Sequence, residues 1–230
     1  MLSFMLLDKG NEMAQNQRNY QREMERIIER LQGERKRLLL HSCCAPCSSA
    51  VLEKLQEVFE VTVFFYNPNI SEDTEYQKRV VEQKRLVEAF NQKNPDYPIH
   101  MIDGDYDSQE FYRIAKGFES CPEGGERCFR CFELRLEKTA ELAIEGNYDF
   151  FTTTLTISPL KNAAKLNEIG EEMARKYGCV WLPSDFKKKE GYKRSIELSK
   201  EYDLYRQDFC GCAYSKAENL KRKMGINIEN

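Results

Sequence analysis

The sequence predicts an α/β fold, a parallel sheet with helices on both faces and helical additions at both ends. Two observations predict it. From residue 38 onward, short apolar segments alternate with longer stretches of helical periodicity. Helix punctuation falls between these segments: Pro46 stands where a first helical position would be, and Gly178 where a helix would end. A strand–helix–strand order makes neighbouring strands parallel through right-handed crossovers. Ligands in such sheets bind beyond the carboxyl ends of the strands.

The elements follow in order. Residues 11–32 are polar and charged, with Met13, Tyr20, Met24, Ile27, Ile28 and Leu31 at roughly helical spacing. That pattern predicts an N-terminal helix lying against the body. Residues 1–35 are therefore assigned to a helical extension, and residues 36–230 to a single α/β domain that carries the chemistry. Strands are predicted at residues 38–42, 61–66, 99–102, 149–154 and 179–182. Helices are predicted at residues 46–59, 74–91, 108–115, 128–145, 162–177, 192–201 and 216–223. The Gly- and Glu-rich loop 117–127 is expected to be the most mobile segment.

A chain of 230 residues is long enough for one sizeable core. Its net charge of −3 creates no global field for nucleic acid, so contact with RNA must come from local basic patches. No apolar run approaches the roughly 18 residues that span a bilayer, so no membrane partner is expected. The opening MLSFMLLDKGNEM is too quickly interrupted by charge to read as a secretory signal. A cytoplasmic protein is expected. In a reducing compartment, nine cysteines argue for metal ligation or redox chemistry over disulfides.

Eight of those cysteines fall in three clusters. The first is Cys43, Cys44 and Cys47, at the end of the first strand and the start of the next helix, where a helix N-terminus favours thiolate. The second is Cys121 followed by Cys128 and Cys131, the last two sharing one helix face. The third is Cys210 and Cys212, with Gly211 permitting close backbone approach. Cys179 stands alone in an apolar segment and reads as core. Adjacent residues of an extended segment project to opposite sides, so Cys43 and Cys44 are expected to serve different centres. Structural zinc wants four thiolates or imidazoles. Even with Cys121 set aside, seven clustered thiols exceed one such site and there are only two histidines, whereas Cys₄ ligation suits a 4Fe–4S cluster. The surplus would hold a second metal or form a redox dithiol.

The segments HSCCAPCSS, FYNPNI, ERCFRCFELRLEKTA, FTTTLTISPLKN and YRQDFCGCAYS, in this order, resemble the QueH family of epoxyqueuosine reductases, over residues 38–215. The resemblance implies a Rossmann-like sheet related to the nucleotide-hydrolase and ATP-pyrophosphatase folds. It implies reduction of epoxyqueuosine in tRNA to queuosine, the last step of queuosine biosynthesis, without cobalamin. It also implies a 4Fe–4S cluster, a nearby second metal ion expected to be iron, and an electron donor of unidentified kind. The metal ligands would be Cys43, Cys44, Cys47, Cys128, Cys131, Cys210 and Cys212.

Other residues gain candidate roles. His41 and Tyr66 are candidate catalytic acids for the leaving oxygen, although a satisfied histidine at a strand end fits His41 equally well. Asn67 and Asn69 follow the second strand and suit recognition of a base or a diol; a turn around Pro68 is the plainer account. Thr152 to Thr154, Ser158 and Lys161 lead into a helix and suit a phosphate, with helix capping by Ser158 as the simpler alternative. Lys187, Lys188, Lys189, Lys193 and Arg194, interleaved with Phe186 and Tyr192, suit tRNA phosphates and a splayed base, where a plain solvated face would look the same. Two other classes share these residues: a thiol-dependent sulfur transferase of the nucleotide-hydrolase superfamily, and a zinc-binding nucleic-acid module.

Overall fold

The structure, a computed structural model, describes residues 18–225. The first part of the predicted N-terminal helix, including Met13, lies outside the described residues. The rest is helix α1 (Tyr20–Arg30), which Asn19 caps by accepting a hydrogen bond from the Arg22 N–H. Met24 on α1 is fully buried, and Ile27, Ile28 and Leu31 pack beside it.

Four parallel strands follow: β1 (Lys36–His41), β2 (Phe59–Phe65), β3 (His100–Asp103) and β4 (Phe150–Thr153), in the spatial order β3-β2-β1-β4. Their connections contain α2 (Ala45–Leu55), α3 (Asp73–Lys93), α4 (Ser108–Ala115) and α5 (Glu126–Glu145). Beyond β4 come a 3₁₀ turn (Thr154–Ile157), α6 (Ala163–Tyr177), α7 (Gly191–Glu201) and α8 (Ala213–Lys223). This is the predicted α/β sheet. Most helix boundaries fall within a few residues of expectation, because Pro46 sits in the first turn of α2 and Gly178 ends α6 with φ 75°.

Alternation along β1 divides the core into two layers. Leu38 and Leu40 face the layer containing Val51, Leu55, Val63, Leu86 and Leu198. Leu39 faces the other, with Phe64, Phe132, Leu136, Phe151 and Leu166. The pairings His41↔Phe64 and His41↔Thr153 put His41 on this second face.

Two expectations are corrected. The predicted fifth strand at residues 179–182 is a single bridge, Phe151 to Trp181. The Phe151 N–H donates to the Val180 carbonyl and the Leu182 N–H to the Phe151 carbonyl, after which the chain leaves the edge. In addition, the segment after β4 coils into the 3₁₀ turn, held by Thr153 Oγ1 accepting from the Leu155 N–H. Among the described residues, no helix is long and apolar enough to cross a membrane.

Gly170 on α6 lies against the Trp181 ring, where a Cβ would sit 2.4 Å from ring carbons. Gly170→Ala should cost about 1 to 3 kcal/mol by overpacking, read as a lower denaturation midpoint. An unchanged midpoint would show that the bridge segment moves freely.

Candidate metal centre

The strand order places a switch point between β1 and β4: from β1 the chain winds through β2 to β3 on one side, then returns to add β4 on the other. Ligand sites collect at such a point. The loop after β1 carries Cys43, Cys44 and Cys47, and the turn after β4 meets it. Thr154 Oγ1 accepts from the Cys43 N–H at 3.2 Å and donates to Cys43 Sγ at 3.5 Å.

The three sulfurs lie within 4.8 Å of one another, with Cys43 and Cys44 at 3.8 Å. This corrects the expectation that Cys43 and Cys44 point apart. The strand ends at His41 and the helix begins at Ala45, so the two cysteines lie in a bend instead of a regular strand. Hydrogen bonds from Cys44 and Cys47 hold the Cys43 thiol well below the ordinary range. Burial pushes Cys44 up to about 12, and hydrogen bonding to Cys43 raises Cys47. Together the three behave as one thiolate on Cys43 held by two thiols.

A second group comes from two distant segments. Cys128 and Cys131 lie on the first turns of α5; Cys212 caps α8, with Cys210 just before it. Together the four thiols line one cavity with Asn69, Arg127 and Lys161. Gly211 has φ 118° and leaves no room for a Cβ against Ile70 and Arg79. Arg79, buried and paired with Glu75, donates to the carbonyl of Cys210 at 3.0 Å and so fixes this loop.

Each sulfur of this group meets an N–H donor. The Gly124 N–H reaches Cys128 and the Ser215 N–H reaches Cys212, both at 3.3 Å. Asn69 Nδ2 reaches Cys210 at 3.8 Å, and the Arg135 guanidinium lies beside Cys131. Donors of this kind favour thiolate, the ligating form. Burial alone works the other way, pushing Cys131 up to about 12 and raising Cys128. A bound cation would resolve that conflict.

Arg135 joins the two groups. It is 1% exposed, donates from Nε to His41 and from its terminal nitrogen to Asn67 Oδ1, and has no carboxylate partner among the described residues. The neighbours that can carry negative charge are the thiols of Cys131, Cys43 and Cys210.

A larger cavity of about 250 Å³ opens over both groups. Cys43, Cys47, Cys210, Arg135 and Lys161 line it, with Tyr192 and Arg206 farther along the wall. Lys161 borders both cavities, and its ammonium has no ion pair among the described residues. Although burial opposes it, the thiols of Cys210, Cys43 and Cys47 raise Lys161 above its ordinary value.

The other expected site residues separate. Ser158 lines the larger cavity, and the cap of α6 is Asn162. His41 is fully buried against Thr153 and Arg135. Its Nδ1 lies 2.7 Å from Thr153 Oγ1, and Nε2 sits between Arg135 Nε at 3.2 Å and the Tyr66 carbonyl at 3.1 Å. Burial lowers its pKa to about 3, so the ring stays neutral. Tyr66 is buried and donates to Glu110. Asn67 donates to the Ser42 carbonyl at 2.9 Å. Lys189 pairs with Glu25, Lys193 with Glu190 and Arg194 with Glu53, and Lys188 lines a separate groove beside Glu53 and Lys54. Of that stretch, Tyr192 and Ser195 reach the larger cavity; Phe186 is core. Cys179 packs on the second core layer. The sequence reading missed Arg135, although its place one helical turn after Cys131 puts both on one face.

A family model described as "Epoxyqueuosine reductase QueH" matches residues 38–218. The chain is 43% identical over 206 residues to "Epoxyqueuosine reductase QueH" of Streptococcus pyogenes serotype M1, covering 88% of this chain and 80% of that protein. It is 42% identical over 215 residues to the protein of that name from Staphylococcus epidermidis, covering 92% and 88%. The one from Thermotoga maritima is 34% identical over 193 residues, covering 83% and 95%.

Metal-free protein treated with iodoacetamide at pH 7 should be modified first at Cys43, because its thiolate persists below the pH at which a free thiol loses its proton. The fast phase should fade as pH falls through the Cys43 value, vanish in Cys43→Ser and survive in Cys179→Ser. Mass mapping that finds Cys179 modified first would contradict this electrostatic picture.

Proposed function

The chain belongs to the QueH family of epoxyqueuosine reductases, which are oxidoreductases, and from that premise we propose that it reduces epoxyqueuosine in tRNA to queuosine in the larger cavity. The observation that carries this reading is the convergence of two thiol groups and a guanidinium without a carboxylate on one cavity wall.

The donor sets fit two centres. Cys128, Cys131, Cys210 and Cys212, each sulfur facing an N–H, would hold a 4Fe–4S cluster. Cys43, Cys44 and Cys47 would hold a second metal ion, read as iron; Cys43 and Cys47 border the cavity, which suits an ion with one position open to substrate. When bound, these groups supply single electrons and a Lewis acid.

The chain's own residues then do the rest. Two electrons and two protons remove the epoxide oxygen as water and leave an alkene. Lys161 Nζ, with no carboxylate to occupy it, donates to that oxygen as its C–O bonds break, and Arg135 holds negative charge in the same wall. His41 and Tyr66 are assigned as supports instead of acids, because both ring nitrogens of the fully buried His41 are occupied by Thr153, Arg135 and the Tyr66 carbonyl, and the Tyr66 hydroxyl faces Glu110. Asn67 likewise holds Arg135. Tyr192, 38% exposed at the cavity, stacks on a splayed base. Arg206, whose acceptors are Ser195 and the hydroxyl of Ser199, contacts phosphate, together with Lys188. Lys189, Lys193 and Arg194 contribute at the edge of that contact, since each already faces a carboxylate.

The test is anaerobic enzyme with a chemical reductant, epoxyqueuosine-containing tRNA and no cobalamin, followed by mass analysis of nucleosides. Queuosine should appear, from protein carrying about four irons per chain for the tetrad alone. Persistence of epoxyqueuosine with the centre intact and reduced would overturn the reading.

Variants sharpen it. Cys131→Ala and Cys210→Ala should lose iron, whereas Cys179→Ala should keep it. Lys161→Met should keep iron and lower kcat by roughly 10²- to 10⁴-fold. Affinity for tRNA should fall as salt rises, with a shallower slope in Arg206→Ala; an unchanged slope would remove Arg206 from the contact.

A further inference from the structure

Four N–H groups face the tetrad, and they are not equivalent. Two are backbone amides, of Gly124 and Ser215. The third belongs to Arg135, which also holds His41 and Asn67 and so cannot change without disturbing the core. The fourth is Asn69 Nδ2, on Cys210. Among the described residues it is the one side-chain donor to the tetrad that supports nothing else.

Asn69 is 2% exposed, and its Oδ1 is buried without a hydrogen-bond partner. The amide orientation follows from chemistry, because a flip would aim the oxygen lone pairs at an electron-rich sulfur. A bare buried acceptor is destabilising, so stability alone would not favour asparagine here. The surrounding backbone aims the side chain. The Ile70 N–H closes a turn on the Asn67 carbonyl at 3.1 Å. The Ser71 N–H then donates to the Gly211 carbonyl, also at 3.1 Å, and the Ala213 N–H to Ser71 Oγ at 2.8 Å. The turn after β2 and the segment that carries Cys210 and Cys212 are thus tied to each other twice through Ser71, just beyond the Asn69–Cys210 contact.

Hydrogen bonds to ligating sulfur withdraw charge from it and favour the reduced, more negative state of a cluster. We propose that Asn69 is a positioning residue that sets the reduction potential of the centre held by Cys128, Cys131, Cys210 and Cys212, by donating its carboxamide N–H to the Cys210 sulfur. This rests on the reading that the tetrad holds an iron–sulfur cluster. It reassigns Asn69 from the substrate contact expected from sequence, since Asn69 lines the thiol cavity and not the larger one.

The experiment uses the full chain, reconstituted anaerobically with iron and sulfide, as wild type, Asn69→Leu and Asn69→Asp. Iron per chain and the midpoint potential, followed by electron paramagnetic resonance, are measured for each. Leucine keeps the branching at Cγ, though bulkier, and removes the donor; aspartate keeps the shape and adds a negative charge. Both variants should retain iron and shift to a more negative midpoint, aspartate further than leucine. Midpoints equal to wild type, or more positive, with iron retained would overturn the proposal while leaving the cluster reading intact. If Asn69→Leu fails to fold, Asn69→Asp decides alone by the same criterion. A wild-type chain that takes up no iron overturns the cluster reading, and this proposal with it.

Discussion

A buried guanidinium with no carboxylate partner among the described residues organises this protein. Arg135 is 1% exposed, yet the groups around it are an imidazole, an amide and thiols. A charge removed from water costs several kcal/mol unless an opposite charge and hydrogen bonds compensate it. Its two buried counterparts follow the ordinary rule, Arg79 pairing with Glu75 and Arg127 with Glu218. Arg135 is compensated only if some of its thiol neighbours are thiolates. Burial, with this charge second, keeps His41 neutral, and the guanidinium orders Asn67, so the carboxyl end of the sheet is built around a centre of one guanidinium and its thiols.

Topology makes that centre reachable. With β1 between β2 and β4, the loops after three parallel strands open onto one edge. The triad comes from the first, Asn67 and Asn69 from the second, and Thr154 and Lys161 from the third. Helices α5 and α8 then bring the remaining thiols by their N-terminal turns, where backbone N–H groups are free to face sulfur. Cys210 and Lys161 border both cavities, so the two thiol groups share a wall.

The basic run at residues 187–194 shows why a charge pattern is weak ground for an RNA site. Its cations were legible, but their carboxylate partners come from α1, α2 and α7 itself. What remains for a phosphate is set by which cations lack such partners, and no linear pattern reveals that. Cys43 and Cys44 teach a related lesson. Alternation holds inside a strand, and these residues lie where the strand has already ended.

The sequence by itself determined the element order, the parallel sheet, the edge at which chemistry would collect and the thiols within each cluster. All of these follow from local rules: side-chain periods of 2 and 3.6, and the conformational limits of proline and glycine. Only the tertiary structure decided which clusters meet and what surrounds them. Asn69 and Cys210 are 141 residues apart, and Thr154 and Cys43 are 111 apart. Their contacts depend on strand order and on how helices α5 and α8 close over the sheet. Whether a side chain such as His41 faces a cavity or the core is settled by that packing, since burial and partners are properties of the folded neighbourhood.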